Sequence, residues 1–307
     1  MDSSPMAHLI PELKIRILSY LDTPAALSRL GQSCQTWYEV ANEELYKRDA
    51  RENNSYAIKL MAAHAVNDQT TDSALRTLKI SVGWGGQIEA VQTHVPVVQR
   101  SIPVEQEDRL MYASTSALNI AVVLGNIRLT MELLKIGARH DIPCTTVDWL
   151  LAQPRTVGRI VQPRMVERIE YFRGIFQPHF EFGQAFPLYL AFMKGNVHMC
   201  QLLLERGVER YAMVVEYDFG ATFMLVSILH FVAADPTTNG NQWRFFFDRF
   251  REQINEPCSN MRLTPLHVAM LSGCDQGVRN ALETGANEEA RNSAMQTPGM
   301  MSSEPAV

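Results

Sequence analysis

The chain has 307 residues, 46% of them apolar, and its 28 Lys and Arg against 33 Asp and Glu leave a net charge of −5. That is the profile of a globular chain of about two domains, or of one small domain joined to an array. It argues against a nucleic-acid partner, because no segment concentrates the Lys and Arg that phosphate binding needs, and it makes proteins the expected partners. The longest apolar-rich run, Ala221 to Ala234, is broken by Thr222, Ser227 and His230 and is too short to span a bilayer. No basic-then-apolar leader is readable, and the five cysteines have no short paired spacing. Both features fit the cytosol or nucleus, with no membrane partner.

In chain order, Leu13, Ile17, Leu18 and Leu21 share one side of a short helix that Asp22-Thr23-Pro24 ends. Leu27, Leu30 and Cys34 line a second helix, and Val40 to Tyr46 fall in a third. About fifty residues give a marginal core, so such a segment leans on a partner or a neighbouring domain. Leu9-Ile10-Pro11-Glu12-Leu13, then Ile17 to Asp22, Leu27, Leu30, Cys34, Trp37 and Leu45-Tyr46, taken together, resemble an F-box. The family opens Leu-Pro, one residue, Glu; here Ile10 stands at the Pro position and Pro11 comes one later. The resemblance implies that residues 7–52 dock on the Skp adaptor of a cullin ubiquitin ligase. Leu9, Ile10, Pro11, Leu13, Ile17, Leu18, Leu21, Leu27, Leu30, Cys34 and Trp37 would make the contact. The competing reading is a helical cap on the remainder of the chain.

Three later segments repeat one pattern. Ser116-Ala117-Leu118-Asn119-Ile120-Ala121 precedes Gly125-Asn126, Leu133-Leu134 and Gly137-Ala138. Phe186-Pro187-Leu188-Tyr189-Leu190-Ala191 precedes Gly195-Asn196, Leu203-Leu204 and Gly207-Val208. Thr264-Pro265-Leu266-His267-Val268-Ala269 precedes Gly273-Cys274, Ala281-Leu282 and Gly285-Ala286. In all three, Leu to Ala is 3, Ala to Gly is 4 and Gly to Gly is 12. Thr264 can cap a helix with Pro265 in its first turn, the first Gly ends that helix in a left-handed turn, and the second Gly ends its antiparallel partner. Each copy is therefore a helix pair that must stack on neighbours to bury its apolar face.

These residues resemble the ankyrin repeat, and joined to the F-box they resemble a group of fungal F-box and ankyrin proteins. The expected organisation is a degenerate first repeat over 55–90, with Ala62-Ala63 and Asn67 near their places, then an irregular insertion over 91–113 that holds Pro96 and Pro103. An array over 114–299 comes next, with clear repeats at 114–142, 184–210 and 262–290, degenerate ones at 143–180 and 225–258, and a disordered tail at 300–307. The fold class expected is all-α.

The resemblance places target binding on the loops and the exposed sides of the first helices: Arg139, His140, Asp141, Met193, Lys194, Arg210, Tyr211, Leu271, Ser272 and Asn287. His230 and His267 sit where a repeat uses His for hydrogen bonds, and no His, Cys and carboxylate set has ligand spacing, so neither metal nor cofactor is expected. Trp243, Phe246, Phe247 and Phe250 recur at helical spacing, as core or as a binding stripe. Gly83-Trp84-Gly85-Gly86 lacks the spacing of a phosphate loop and reads as a helix-ending turn. The resulting expectation is a non-catalytic substrate adaptor in ubiquitin ligation, with a plain ankyrin scaffold as the alternative.

Overall fold

The structure is a computed structural model that describes residues 9–97, 111–145, 171–172, 174–175, 180–207, 211–217, 224–236, 242–258 and 261–301. It opens with three helices, α1 (Pro11–Ser19), α2 (Pro24–Ser33) and α3 (Gln35–Glu52). Thr23 starts α2 by accepting a hydrogen bond from the Ala26 N–H, and Pro24 fills the first turn, where no N–H is needed. Leu18, Leu27, Trp37 and Ala41 form a core of their own, flanked by half-buried Leu9, Ile17, Leu21, Leu30, Cys34, Val40 and Leu45. Arg48 of α3 donates to the carbonyls of Leu18 (2.8 Å) and Leu21, which ties the free carbonyl end of α1 to α3. Lys14 lies with its ammonium 5.8 Å from the Trp37 ring centre, covering the same core.

Among the described residues five helix pairs come next: α4 (Tyr56–His64) with α5 (Asp68–Gly83), α6 (Ala117–Leu124) with α7 (Ile127–Lys135), α8 (Pro187–Met193) with α9 (Val197–Glu205), α10 (Ile228–Ala234) with α11 (Arg244–Arg249), and α12 (Pro265–Leu271) with α13 (Asp275–Thr284). A 3-10 turn at Pro298–Met301 packs on α12. The spaced glycines carry out the reversals: Gly125, Gly195 and Gly273 take φ of +70°, +65° and +64°, and Gly137, Gly207 and Gly285 take +99°, +75° and +103°. These are backbone conformations that side chains other than hydrogen resist. The residue after the first Gly then caps the second helix, with Asn126 accepting from the Leu129 N–H (2.9 Å) and Asn196 from the Met199 N–H (3.0 Å).

Side chains at two recurrent positions bond across pairs. The caps of second helices reach back to the carbonyl ending the preceding first helix: Asn126 Nδ2 donates to Ala65 O (2.8 Å) and Cys274 Sγ to Asp235 O (3.2 Å). The third residue after the first-helix cap reaches forward into the loop entering the next pair. Asn119 Nδ2 donates to Ile142 O (3.2 Å), and the Nε2 atoms of His230 and His267 lie 3.1 and 3.2 Å from Leu263 O and Gln296 O. A single apolar cluster runs through the stack from Ile58 to Ala281. On the outer side, Arg128 of α7 pairs with Asp72 of α5, and Arg244 of α11 with Glu283 of α13.

The described residues are mostly helical, in keeping with the all-α expectation, with a few strands between the pairs. β1 (Gln92–Val97) and β2 (Met111–Thr115) pair antiparallel at the two ends of the stretch expected as an insertion, whose residues 98–110 lie outside the described ones. β3 (Cys144–Thr145), β4 (Phe180–Ala185), β5 (Tyr211–Tyr217) and β6 (Met224–Ser227) form an antiparallel sheet in that order. Among the described residues β1 pairs with β2 alone, an edge position in which Pro96 is tolerated. α6 packs directly on α8, and the degenerate repeat expected over 143–180 lies largely outside the described residues. At the ends of that stretch β4 pairs antiparallel with β3, and Phe172 enters the core against Phe192 (6.1 Å) and Phe231 (5.4 Å). The tail beyond 301 lies outside the described residues.

The closest approach between neighbouring pairs is at Gly277, where a Cβ would lie 1.8 Å from the carbonyl oxygen of Ala233. Gly277→Ala must push α13 off α10 and is expected to cost about 3 kcal/mol in urea unfolding. Gly137→Ala, strained by its φ but facing open space, is expected to cost about 1 kcal/mol. Equal costs would contradict the close contact.

Candidate functional site

Two surfaces are candidates: the outside of α1, and the loops and helix ends of the stack. On α1, Ile10, Leu13, Ile17 and Tyr20 succeed one another at three- and four-residue steps and so share a face. Ile10 is 57%, Leu13 45% and Tyr20 72% exposed, while Ile17 is half-buried. Lys14 and Leu18 turn the opposite way, into the core. The residues expected to dock therefore divide. Ile10, Pro11 and Leu13 are exposed, and Leu9, Ile17, Leu21, Leu30 and Cys34 are half-buried. Leu18, Leu27 and Trp37, at 2% exposure or less, are spent on holding the three helices together. Ile15 (60% exposed), Tyr20 and Tyr38 are large exposed apolar side chains that the sequence reading missed; the signal for Tyr20 was its place three residues after Ile17.

The residues expected to meet a target are spread along the stack. Arg139 and Asp141 form a bidentate pair (2.9 and 2.7 Å) just after α7, exposed to solvent, and the guanidinium holds the Asp141 carboxyl below the usual carboxylate range. Half-buried His140 lies between them in sequence. Met193 is 1% exposed, closed inside the core by the last turn of α8, and so is withdrawn from a contact surface. Lys194 and Ser272 end α8 and α12, half-buried, beside half-buried Leu271. Asn287 is exposed after α13, its N–H donating to Asn255 Oδ1 (2.7 Å) and its side chain accepting from the Glu289 N–H. Arg210 lies outside the described residues, and Tyr211 begins β5.

The groups that could have carried chemistry serve packing. Thr264 and His267 close a capping box, in which the His267 Nδ1 accepts from Thr264 and the Nε2 faces Gln296 O. Burial pushes the His230 imidazole down to about 4, against the raising effect of its backbone partners. Trp243, Phe246 and Phe247 are buried to 1% exposure or less and Phe250 to 7%, which makes them core rather than a stripe for a ligand. Trp84 and Gly85 end α5, with Gly85 at φ +91°. Cys144, Cys200, Cys258 and Cys274 are buried and Cys34 is half-buried; burial pushes the Cys144 thiol up to about 12, far from a reactive thiolate. Among the described residues no group of three or more His, Cys, Asp or Glu could hold a metal ion, and no helix is long and apolar enough to cross a membrane.

Comparison with known proteins bears on the first of the two surfaces. A family model described as F-box-like matches residues 9–51, so an F-box-like domain occupies α1 to α3. No curated protein matches the chain. Among solved structures, a similar one is the predatory endopeptidase Bd0816 of Bdellovibrio bacteriovorus in complex with the immunity protein Bd3460. It is 12% identical over 61% of this chain and 73% of that one, with a TM-score of 0.40, a likeness too slight to define the fold.

The division of α1 to α3 into core and surface is testable by truncation. Leu18→Ala is expected to cost the small core about 3 kcal/mol, and Leu13→Ala less than about 0.5 kcal/mol, read from hydrogen exchange of the α2 and α3 amides. The buried imidazole gives a pH signature. Unfolded His230 takes its proton near pH 6.5 and the folded one near 4, so between these values the unfolded state binds the extra proton. Stability is thus fully present above about 6.5 and is lost as pH falls towards 4. His230→Gln, which keeps a donor, is expected to flatten that slope; an unchanged slope would contradict the neutral buried imidazole.

Proposed function

We propose that the chain is a substrate-recognition adaptor of a Skp-cullin-F-box ubiquitin ligase, whose F-box-like domain docks the Skp adaptor and whose ankyrin-type stack holds a target protein. The observation that carries this reading is the F-box-like match on a unit with its own core and an uncovered apolar stripe at Ile10, Leu13 and Tyr20. Apolar area removed from water contributes about 25 cal/mol per Å² before the costs of association, and a few central side chains carry most of it. The ankyrin reading of the stack is supported by the Thr264-Pro265-Leu266-His267 capping box and by six left-handed glycines at two repeated positions. Target capture is then assigned to what varies between pairs: the Arg139 and Asp141 pair, Lys194, Ser272 and Asn287. An adaptor of this kind performs no chemistry itself and works in the cytosol or nucleus.

A second reading, a scaffold whose first helices merely cap the stack, draws on α3. That helix lies against α4 and α5, with the Lys47 ammonium 4.8 Å from the centre of the Trp84 ring. The two readings separate on co-purification of the full chain with a Skp adaptor, beside an Ile10→Asp, Leu13→Asp variant. Both side chains are exposed, so the variant keeps its core. The adaptor reading expects binding by the wild type and a loss of tenfold or more in the variant, at least about 1.4 kcal/mol. Equal binding by both, or none by the wild type, would favour the cap.

A further inference from the structure

Among the described residues, the core of α1 to α3 and the core of the stack share no side chain, so apolar packing through a common core does not set the angle between them. Besides the contact of Lys47 with the Trp84 ring, a turn joins them, Asn53 to Ser55, in which both Asn54 (φ +51°) and Ser55 (φ +53°) are left-handed. Two consecutive residues other than Gly in that conformation are held against a steric cost, which persists only when the surroundings over-determine it. The surroundings here are polar and closed. The Ser55 N–H donates to Asp49 O (2.9 Å), the Gln87 N–H to Ser55 Oγ (2.8 Å), and Asn54 Nδ2 to Val91 O (2.7 Å). Asp49, in the last turns of α3, accepts from the Ala57 N–H (3.1 Å) and so caps α4 from outside it. Lys59, from α4, donates to Asn54 O (2.6 Å) and Ala90 O (3.4 Å).

We propose that Asp49 and Lys59 are positioning residues that lock the F-box-like domain to the helix-pair stack in one orientation. Both are charged side chains withdrawn from water, at 8% and 4% exposure. Burial pushes the Lys59 ammonium down to about 8, with Asp49 opposing, and raises the Asp49 carboxyl. Replacing buried charged groups by apolar ones of the same size is often neutral or stabilising, so the part assigned to Asp49 and Lys59 is geometry rather than stability. The lock joins three segments: the end of α3, the start of α4, and the 86–91 turn leading into β1. It is a property of the chain alone. Its consequence, that a captured target is presented at a fixed bearing from α1, rests on the adaptor reading.

The test measures geometry on the full chain without any partner. Spin labels at Arg29→Cys and Arg279→Cys, both exposed positions, in a Cys34→Ser background report the distance between the two parts by pulsed electron resonance. The unaltered joint is expected to give one narrow distance distribution. Asp49→Asn, Lys59→Met is expected to broaden it at least twofold while the melting temperature stays the same or rises. A wild-type distribution already broad, or a variant as narrow as the wild type, would overturn the lock. Should the double variant lose its fold, Ser55→Gly, which relieves the left-handed strain and removes the acceptor for the Gln87 N–H, must broaden the distribution on its own, and failure to do so overturns the proposal. None of these outcomes depends on Skp binding, so the lock and the adaptor reading fail separately.

Discussion

Contact between neighbouring pairs is the constraint on which the rest of the molecule depends. A pair of helices of seven to ten residues, such as α12 and α13, cannot bury its apolar face alone. Its stability is a sum over interfaces with the pairs on either side. The structure meets the polar half of that requirement with side chains that bond outward: Asn126 and Cys274 to the preceding pair, and Asn119, His230 and His267 to the next loop. Each gives a backbone carbonyl a side-chain partner across the stack, and those of Leu263 and Gln296 also accept from the N–H groups of Cys258 and Asn292. At Gly277 the backbones come so close that no side chain fits. Everything placed on the loops, including the Arg139 and Asp141 pair, inherits its position from that stack.

The pairs were legible in the sequence because their geometry needs particular residues at fixed intervals. A left-handed turn favours Gly, a first turn accepts Pro, and a cap favours a short polar side chain, so Gly125, Pro265 and Asn126 are each legible in isolation. The strands were not legible. β5, Tyr-Ala-Met-Val-Val-Glu-Tyr, lies in a connection that the repeat pattern leaves unspecified, and its pairing with β4 and β6 is non-local. The extra unit expected over 143–180 rests on the 70-residue interval between copies alone, and length carries no information about whether a segment stacks between its neighbours. The forward bond of Asn119 could have been found by aligning it with His230 and His267, since all three stand three residues after a first-helix cap.

At the N-terminus the apolar spacing was readable but not the division of labour within it. Leu13 and Leu18 are both leucines of one apolar-rich helix, and the structure turns Leu18 to the core and Leu13 to water because Leu27 and Trp37 come from α2 and α3 to meet one side. The result is a domain with a small core of Leu18, Leu27, Trp37 and Ala41, stiffened by Arg48, and an apolar exterior on its first helix. A small core beside an open apolar face is what a docking module needs, and it also makes the module dependent on its neighbours for stability. On the stack side Asp49 and Lys59 bond across the junction, Asp49 to the Ala57 N–H and Lys59 to the carbonyls of Asn54 and Ala90.

The central claim is that one end of this chain docks and the other captures, and hydrogen exchange of the full chain with and without a Skp adaptor tests it most directly. The account predicts new protection confined to residues 9–38, strongest across α1, with the amides of α6 to α13 unchanged. Protection emerging on the helix pairs instead, or none anywhere at saturating adaptor, would contradict it.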